Sequence, residues 1–462
     1  MEVLHALLPE VVSYSSKDSP SSSSISRYNN RESYVRRVIF SFLCVLVYLI
    51  LSSVPVFGAF EHQSGYDPFY AQRLILSANR GSLLELGLGP IISAGMFLQV
   101  LVSAGLIQLD QEKRSHKEYM QKTTKIAALA LSLLQAAVLV FSDSYGPIKL
   151  LGYGNAFLII FQLCISSLLV ILMDEAMEKG HGIGSGVSLF MCCHICTEII
   201  WKILCPFRIS SKSSGLQFVG ILPAIPHLLL TEKSKLRAIY IILFREEAGL
   251  SNLVGVLSML GVYALTVMFQ NWRIELPLHG ERAERGRMMS TPKPYTIPLF
   301  YTSSMPVILY STTIGNFHIM SQCLYTSYPK HGLVQMIGTW KEGRNGQLYP
   351  ISGLAHLTTP PNSFLSMCED PLQALFYVTF VLAACSIFSQ IWVETSGIGT
   401  KYEIQELKKR GLSLRGRRHN EATYKYLHLY ISTATSLGGI IIGEYVIVPC
   451  YNIITILMAF FS

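Results

Sequence analysis

Asp67–Pro90 reads DPFYAQRLILSANRGSLLELGLGP, and its place between two apolar stretches decides how the chain folds. Asp67-Pro68 is a helix-start signal, and a short amphipathic piece runs from it through Leu76. A polar break follows at Asn79, Arg80 and Gly81, after which the chain is apolar as far as Leu106. The first piece is too short to cross a bilayer, which takes about 20 apolar residues. Broken, charged backbone at membrane depth is tolerated only where protein buries it or a water-filled cavity lines it. The segment therefore predicts a pore or a substrate pathway.

The flanking sequence agrees. Of the 462 residues, 50% are hydrophobic and 14% charged, the composition of a polytopic membrane protein. Stretches able to span lie near 38–57, 83–107, 126–142, 154–173, 183–205, 250–270, 297–320, 371–393 and 430–449. The first follows a polar leader with no small-residue cleavage pattern, so it is expected to act as its own targeting signal. Arg36 and Arg37, then Lys113, Arg114 and Lys117, then Arg273, Arg282, Arg285 and Arg287, then Lys408–Arg418 all fall on one side if the spans alternate. By the positive-inside rule that side is the cytosol, together with the N-terminus. The opposite-side loop 206–249 is also basic. Its apolar run 216–230 is interrupted by Pro223 and Pro226 and reads as an interfacial hairpin rather than a span.

Residues 1–34 are expected to hold a surface helix, with Val3, Leu4, Leu7, Leu8 and Val11 on one face, and a serine-rich tether over 13–27. Two halves follow, 35–206 and 250–462, joined by the loop 207–249. Transporters share such a plan, so it does not settle function. Cys192, Cys193, His194 and Cys196 imitate a metal cluster, but small soft residues packing in a bundle explain them better. Gly180–Gly186 (GHGIGSG) lacks the preceding strand of a nucleotide loop and reads as close helix packing. No catalytic set, metal site or cofactor motif is read, and no enzyme is expected.

Several segments also resemble a known family. DPFY, SANRG and ELGLGPIIS, then Lys179–Phe190 (KGHGIGSGVSLF), Leu299–Gln322 (LFYTSSMPVILYSTTIGNFHIMSQ), Trp392–Gly397 (WVETSG) and Tyr430–Gly443 (YISTATSLGGIIIG), occur in the order found in the SecY family. The likeness is to its eukaryotic branch, the translocon alpha subunits of the endoplasmic reticulum. It implies an all-α polytopic membrane bundle of about ten helices in two pseudo-symmetric halves, with a plug at 67–80. It also implies a multi-pass endoplasmic-reticulum channel that passes nascent polypeptides across the membrane and inserts membrane proteins into it.

By motif, Leu88, Ile92, Val187, Met191 and Ile308 match the pore ring. An apolar waist dewets when closed and makes no specific bonds when open. Leu88 and Ile92, like Val187 and Met191, are spaced to share a helix face, though apolar residues so spaced occur in every membrane helix. Asp67, Pro68 and Arg73 belong to the plug; the lone arginine must face water or a carboxylate. Ser93, Gln135 and Asn316 match a polar cluster at a lateral gate, where plain interhelical hydrogen bonding is the alternative. Arg282, Arg285, Arg287, Arg415, Arg417 and Arg418, in the loops 272–296 and 394–429, match a ribosome-docking surface. Guanidinium suits phosphate and stacks on bases. The first of these loops departs from the family's Arg-x-Arg-Gly, reading Ala283-Glu284-Arg285-Gly286. The partners implied are beta- and gamma-type small subunits, ribosomal RNA at the exit tunnel, signal sequences and nascent chains, post-translational Sec partners, a lumenal chaperone and membrane lipid.

The likeness is expected to stop after Gly443. Cys450–Ser462 supplies about 20 Å of helix against about 30 Å of hydrocarbon, so the last span is expected to be incomplete. That leaves two other readings, a non-conducting paralogue acting as a ribosome receptor and a small-molecule transporter. The second needs charges within the spans, of which Glu85 is nearly the whole supply.

Overall fold

The computed structural model describes residues 23–59, 70–103, 114–142, 145–146, 151–211, 215–231, 234–243, 253–280, 294–302, 304–342, 348–361, 370–396, 398–409, 412–414 and 420–447. Each of the nine candidate spans contains one long helix over its described residues. These are α1 (Ser23–Ser53), α3 (Gly89–Ser103), α4 (Arg114–Phe141), α5 (Tyr153–Ala176), α6 (Gly186–Leu204), α9 (Leu253–Gln270), α10 (Met305–Ser327), α13 (Pro371–Thr395) and α15 (Asn420–Ile447). Within them six segments are both long and apolar enough to cross a membrane. Exposed Phe42, Phe157, Phe161, Tyr263 and Leu375 show side chains of the kind that meet lipid. The short helix α2 (Tyr70–Ile75) lies before α3.

Three sequence expectations need adjustment. The second apolar stretch is not helical from residue 83, because 82–88 form a chain of turns and α3 begins only at Gly89. At 15 residues α3 is short for a full crossing. The turns before it are largely buried in protein, which satisfies backbone that lipid would not. The serine-rich tether also ends earlier than expected, since α1 already begins at Ser23. Finally, the bundle is not purely helical. Four two-stranded antiparallel pairs decorate its loops: β1 (Arg208–Ser211) with β2 (Gly215–Phe218), β3 (Arg273–Leu276) with β5 (Tyr295–Pro298), β4 (Leu278–Gly280) with β8 (Leu412–Leu414), and β6 (Thr339–Glu342) with β7 (Leu348–Ser352).

The β4–β8 pair joins the loop after α9 to the loop after α13 through Leu278–Leu414, His279–Ser413 and Gly280–Leu412. The two basic loops therefore share one end of the bundle, as alternation of the spans requires. The apolar run 216–230 forms β2 and the helix α7 (Ile221–Thr231), whose 11 residues are too few to span. Helix α8 (Lys235–Leu243) completes that loop, and α7 and α8 pack together over Ile221, Ala224, Leu228 and Ile242. The surface helix expected over residues 1–11 lies outside the described residues. The short helices α11 (Gly332–Ile337), α12 (Leu354–Leu357) and α14 (Thr400–Lys409) fill the remaining connections.

The core is divided. One cluster joins α1, α5 and α6 to the turns before α3 (Cys44, Tyr48, Leu84, Leu88, Val170, Met177, Phe190). Another joins α10 and α13 (Val307, Tyr310, Ile314, Tyr377, Val381, Cys385). Helix α2 lies between these, packing on α6 and α10.

Candidate functional site: a plugged constriction and its lateral seam

Four of the five expected ring residues come together. Leu88 is fully buried in the first cluster, and half-buried Ile92, Val187 and Met191 pack against it. Ile308 is buried on α10 but is not among that cluster's residues. Leu88 and Ile92 stand one helical turn apart at the start of α3. Leu88 precedes α3, and its carbonyl accepts the Ile92 amide at 3.2 Å to start the helix. Val187 and Met191 also lie one turn apart, on α6.

Helix α2 abuts this cluster. The Leu76 carbonyl, just past its end, accepts the Leu88 amide at 2.9 Å. Ile75 packs against the Val307–Tyr310–Ile314 cluster. Ser77 is fully buried with φ of 53°, a left-handed conformation that costs a non-glycine residue about 1 kcal/mol or more. The Tyr48 hydroxyl donates to its carbonyl at 2.9 Å. Asn79 donates to the Ser52 carbonyl at 3.0 Å, tying the same turn to α1. Asp67 and Pro68 lie outside the described residues.

Arg73 meets a carboxylate, the second of its two expected options: Glu85 Oε1 lies 3.7 Å away. Glu85 also accepts the Gly81 amide at 3.1 Å and the hydroxyl of Tyr145, from the loop between α4 and α5. Burial first, and then the adjacent Glu85 charge, raises the Tyr145 phenol above its ordinary value, so it keeps its proton and donates it. In the sequence Glu85 counts only as a charge near a span. Its buried position beside Arg73 is the feature that sequence reasoning missed.

The polar trio forms one connected unit. Gln135 of α4 donates to the Asn316 side-chain oxygen at 2.7 Å, and the Asn316 amide donates to Ser93 Oγ on α3 at 3.0 Å. Asn316 thus uses both ends of its side chain to bridge three helices. Thr313 adds a weak contact to Met96 Sδ at 3.8 Å along the same seam.

At the other end of α5, Asp174 Oδ1 accepts the Val187 amide at 2.9 Å and so caps α6 from a neighbouring helix. Ser185, the residue before α6, makes no capping bond of its own. Close approach explains two of the run's four glycines, whereas Gly180 and Gly184 have nothing nearby and instead take positive φ of 94° and 76°. A Cβ on Gly186 would meet Asp174 Oδ1 at 2.6 Å, and one on Gly182 would meet Met177 at 2.9 Å. In the Cys192–Cys196 stretch, Cys192 and Cys196 are exposed while His194 is buried. Arg282, Arg285, Arg287, Arg415, Arg417 and Arg418 lie outside the described residues; the β4–β8 pair sets the stems of their loops side by side.

A buried apolar cluster with a short helix tied beside it, and a polar trio bridging three helices of a membrane bundle, is the arrangement these residues form. Comparison with known proteins makes this specific. The family description SecY matches residues 82–461, and the description "Plug domain of Sec61p" matches residues 46–81. The chain belongs to the SecY family. The family match runs past Gly443, where the resemblance was expected to stop, to residue 461.

Among curated relatives, the Sec61 subunit alpha protein transport protein of Dictyostelium discoideum is 36% identical over 89% of this chain and 85% of its own length. That of Yarrowia lipolytica is 38% identical over 88% and 85%. Among solved structures, one described as a protein conducting channel superposes with a TM-score of 0.71 at 22% identity, covering 98% of this chain and 94% of the other. Sec61 in the canine ribosome-channel complex gives 0.68 at 22% identity, covering 96% and 94%.

Proposed function

We propose that this chain is the pore-forming subunit of a protein-conducting channel of the endoplasmic-reticulum membrane, passing nascent polypeptides across and releasing apolar segments sideways into lipid. The observation that carries the reading is the seat of α2. A short helix hydrogen bonded at its end to Leu88, beside a cluster that holds Ile92, Val187 and Met191, is a stopper next to an apolar waist. Apolar walls offer no selectivity for one side chain over another, which suits a polymer of arbitrary sequence. The Ser93–Asn316–Gln135 bridge is the fastening of the lateral opening, and cross-helix bonds of about 0.6 kcal/mol each can yield to an arriving apolar helix.

Ile308 belongs to the same ring in this reading, and Arg73 with Asp67 and Pro68 to the plug. The arginines of the two basic loops, Arg282, Arg285, Arg287, Arg415, Arg417 and Arg418, are the docking surface for ribosomal RNA. The end of the bundle bearing those loops is the cytosolic one. The names of the curated relatives, protein transport proteins, support this reading.

Reconstitution with ribosomes tests it. Crosslinks from a stalled nascent chain to Leu88, Val187 and Ile308 are expected. Crosslinks confined to the loop of Arg415 would replace the channel by a receptor.

A further inference from the structure

Glu85 is a carboxylate buried where three separated stretches of chain meet, its side chain only 5% exposed. Arg73 comes from α2, Gly81 from the turn that follows it, and Tyr145 from the loop between α4 and α5. The other ties on the plug, from Leu88, Tyr48 and Asn79, are neutral hydrogen bonds. Of the plug contacts described above, only the one at Glu85 carries charge on both sides.

A buried carboxylate is costly unless it is paired and its oxygens are satisfied. Here both oxygens are used: one faces Arg73, the other takes the Gly81 amide and the Tyr145 hydroxyl. The Tyr145 hydroxyl fixes the carboxylate from outside the plug, so Glu85 does not follow α2 if that helix leaves. Arg73 is different. Its side chain is 27% exposed, so it passes into water at modest cost, whereas Glu85 would stay behind without its ion-pair partner. The energetic penalty of unseating α2 therefore falls on the fixed partner.

We propose that Glu85 is a positioning residue for the plug: an anionic anchor, oriented by Tyr145, that holds α2 seated by its attraction for Arg73. The inference rests on the channel reading and adds to it the group that resists opening. Such a latch releases as a unit. Once α2 shifts by a few ångströms, the charge attraction is screened and the latch no longer opposes further movement.

The test is the idle ionic conductance of the full-length chain, purified with the subunits that accompany it and placed in planar bilayers without ribosomes. A variant lacking Tyr70–Ile75 sets the unplugged level. Glu85→Gln is close to isosteric and retains acceptors for Gly81 and Tyr145, so it removes mainly the charge. Its leak is expected to rise about tenfold. Arg73→Gln is expected to match it, and the double variant to leak no more than the larger single, because both remove one interaction. Arg73→Lys keeps the charge and is expected to stay close to the unsubstituted channel. Thermal melting of each sample identifies misfolded variants; should Glu85→Gln melt early, the contrast between Arg73→Gln and Arg73→Lys decides alone. A tight Glu85→Gln channel beside a leaky deletion variant overturns the latch and leaves the channel reading intact. Additive leaks in the double variant, or an Arg73→Lys channel as leaky as Arg73→Gln, overturn it equally. A deletion variant that conducts nothing sinks the channel reading itself, and the latch with it.

Discussion

The Leu88 amide donates to the Leu76 carbonyl at 2.9 Å, so the residue that starts the second long apolar helix is bonded directly to the end of the short helix before it. The chain reverses between them through Gly87, whose φ of 54° is open to glycine and costly for other residues. The end of α2 and the start of α3 are therefore two ends of one tight turn system.

Gly87→Ala is the substitution to which that turn should be most sensitive. A Cβ there would sit 2.9 Å from the Ala78 amide, besides crowding the Leu76 carbonyl. The expected cost is about 1–3 kcal/mol, read as a lower melting temperature and a raised idle ion leak. A variant as stable and as tight as the parent would mean that the turn is not what seats the plug.

Asn316→Leu should loosen the lateral seam more than Gln135→Leu does. The first removes two cross-helix hydrogen bonds and the second only one. At about 0.6 kcal/mol per bond, and at most about 2, the effect is a shifted gate equilibrium rather than an unfolded bundle. Weak signal sequences should gain more than strong ones in a translocation assay. Equal behaviour of both variants on both signal classes would remove the gate assignment.

Asp174→Ala should disturb the ring from a distance. It deletes the acceptor for the Val187 amide at the start of α6, a capping loss of about 0.5–2 kcal/mol. Asp174→Asn keeps an acceptor and should be milder. The measurement is melting together with crosslinking of a stalled chain to Val187 and Met191, which should fall in the alanine variant first.

Reversing charge at Arg415 and Arg418 together should weaken ribosome co-sedimentation, most at low salt, where clustered basic charge contributes most. Melting should be unchanged, since these residues follow the three-residue strand β8 in the sequence and belong to none of the apolar stretches. Unaltered co-sedimentation would move the docking surface elsewhere.

Much of the fold is legible from hydropathy, because a helix that must cross lipid has to be apolar over most of its length. The nine apolar stretches and the nine long helices among the described residues correspond in order. Misplaced boundaries follow from the same cause. Residues 83–88 are as apolar as the helix after them, yet they form turns, since burial inside a protein and burial in lipid select the same side chains. Leu88 is apolar in the sequence, and the structure shows it as the residue just before α3 rather than one within it. The polar trio was readable because Ser93, Gln135 and Asn316 interrupt apolar runs, where each needs a partner.

The sequence by itself determined that this is a bundle of membrane helices with a charged, broken segment before the second, because composition and periodicity act locally along the chain. Tertiary structure alone decided which groups meet across it. Asn316 reaches both Ser93 and Gln135, and Tyr145 reaches Glu85 across 60 positions. The pairing of a buried charge depends on where distant segments are brought together. No local pattern encodes that distance.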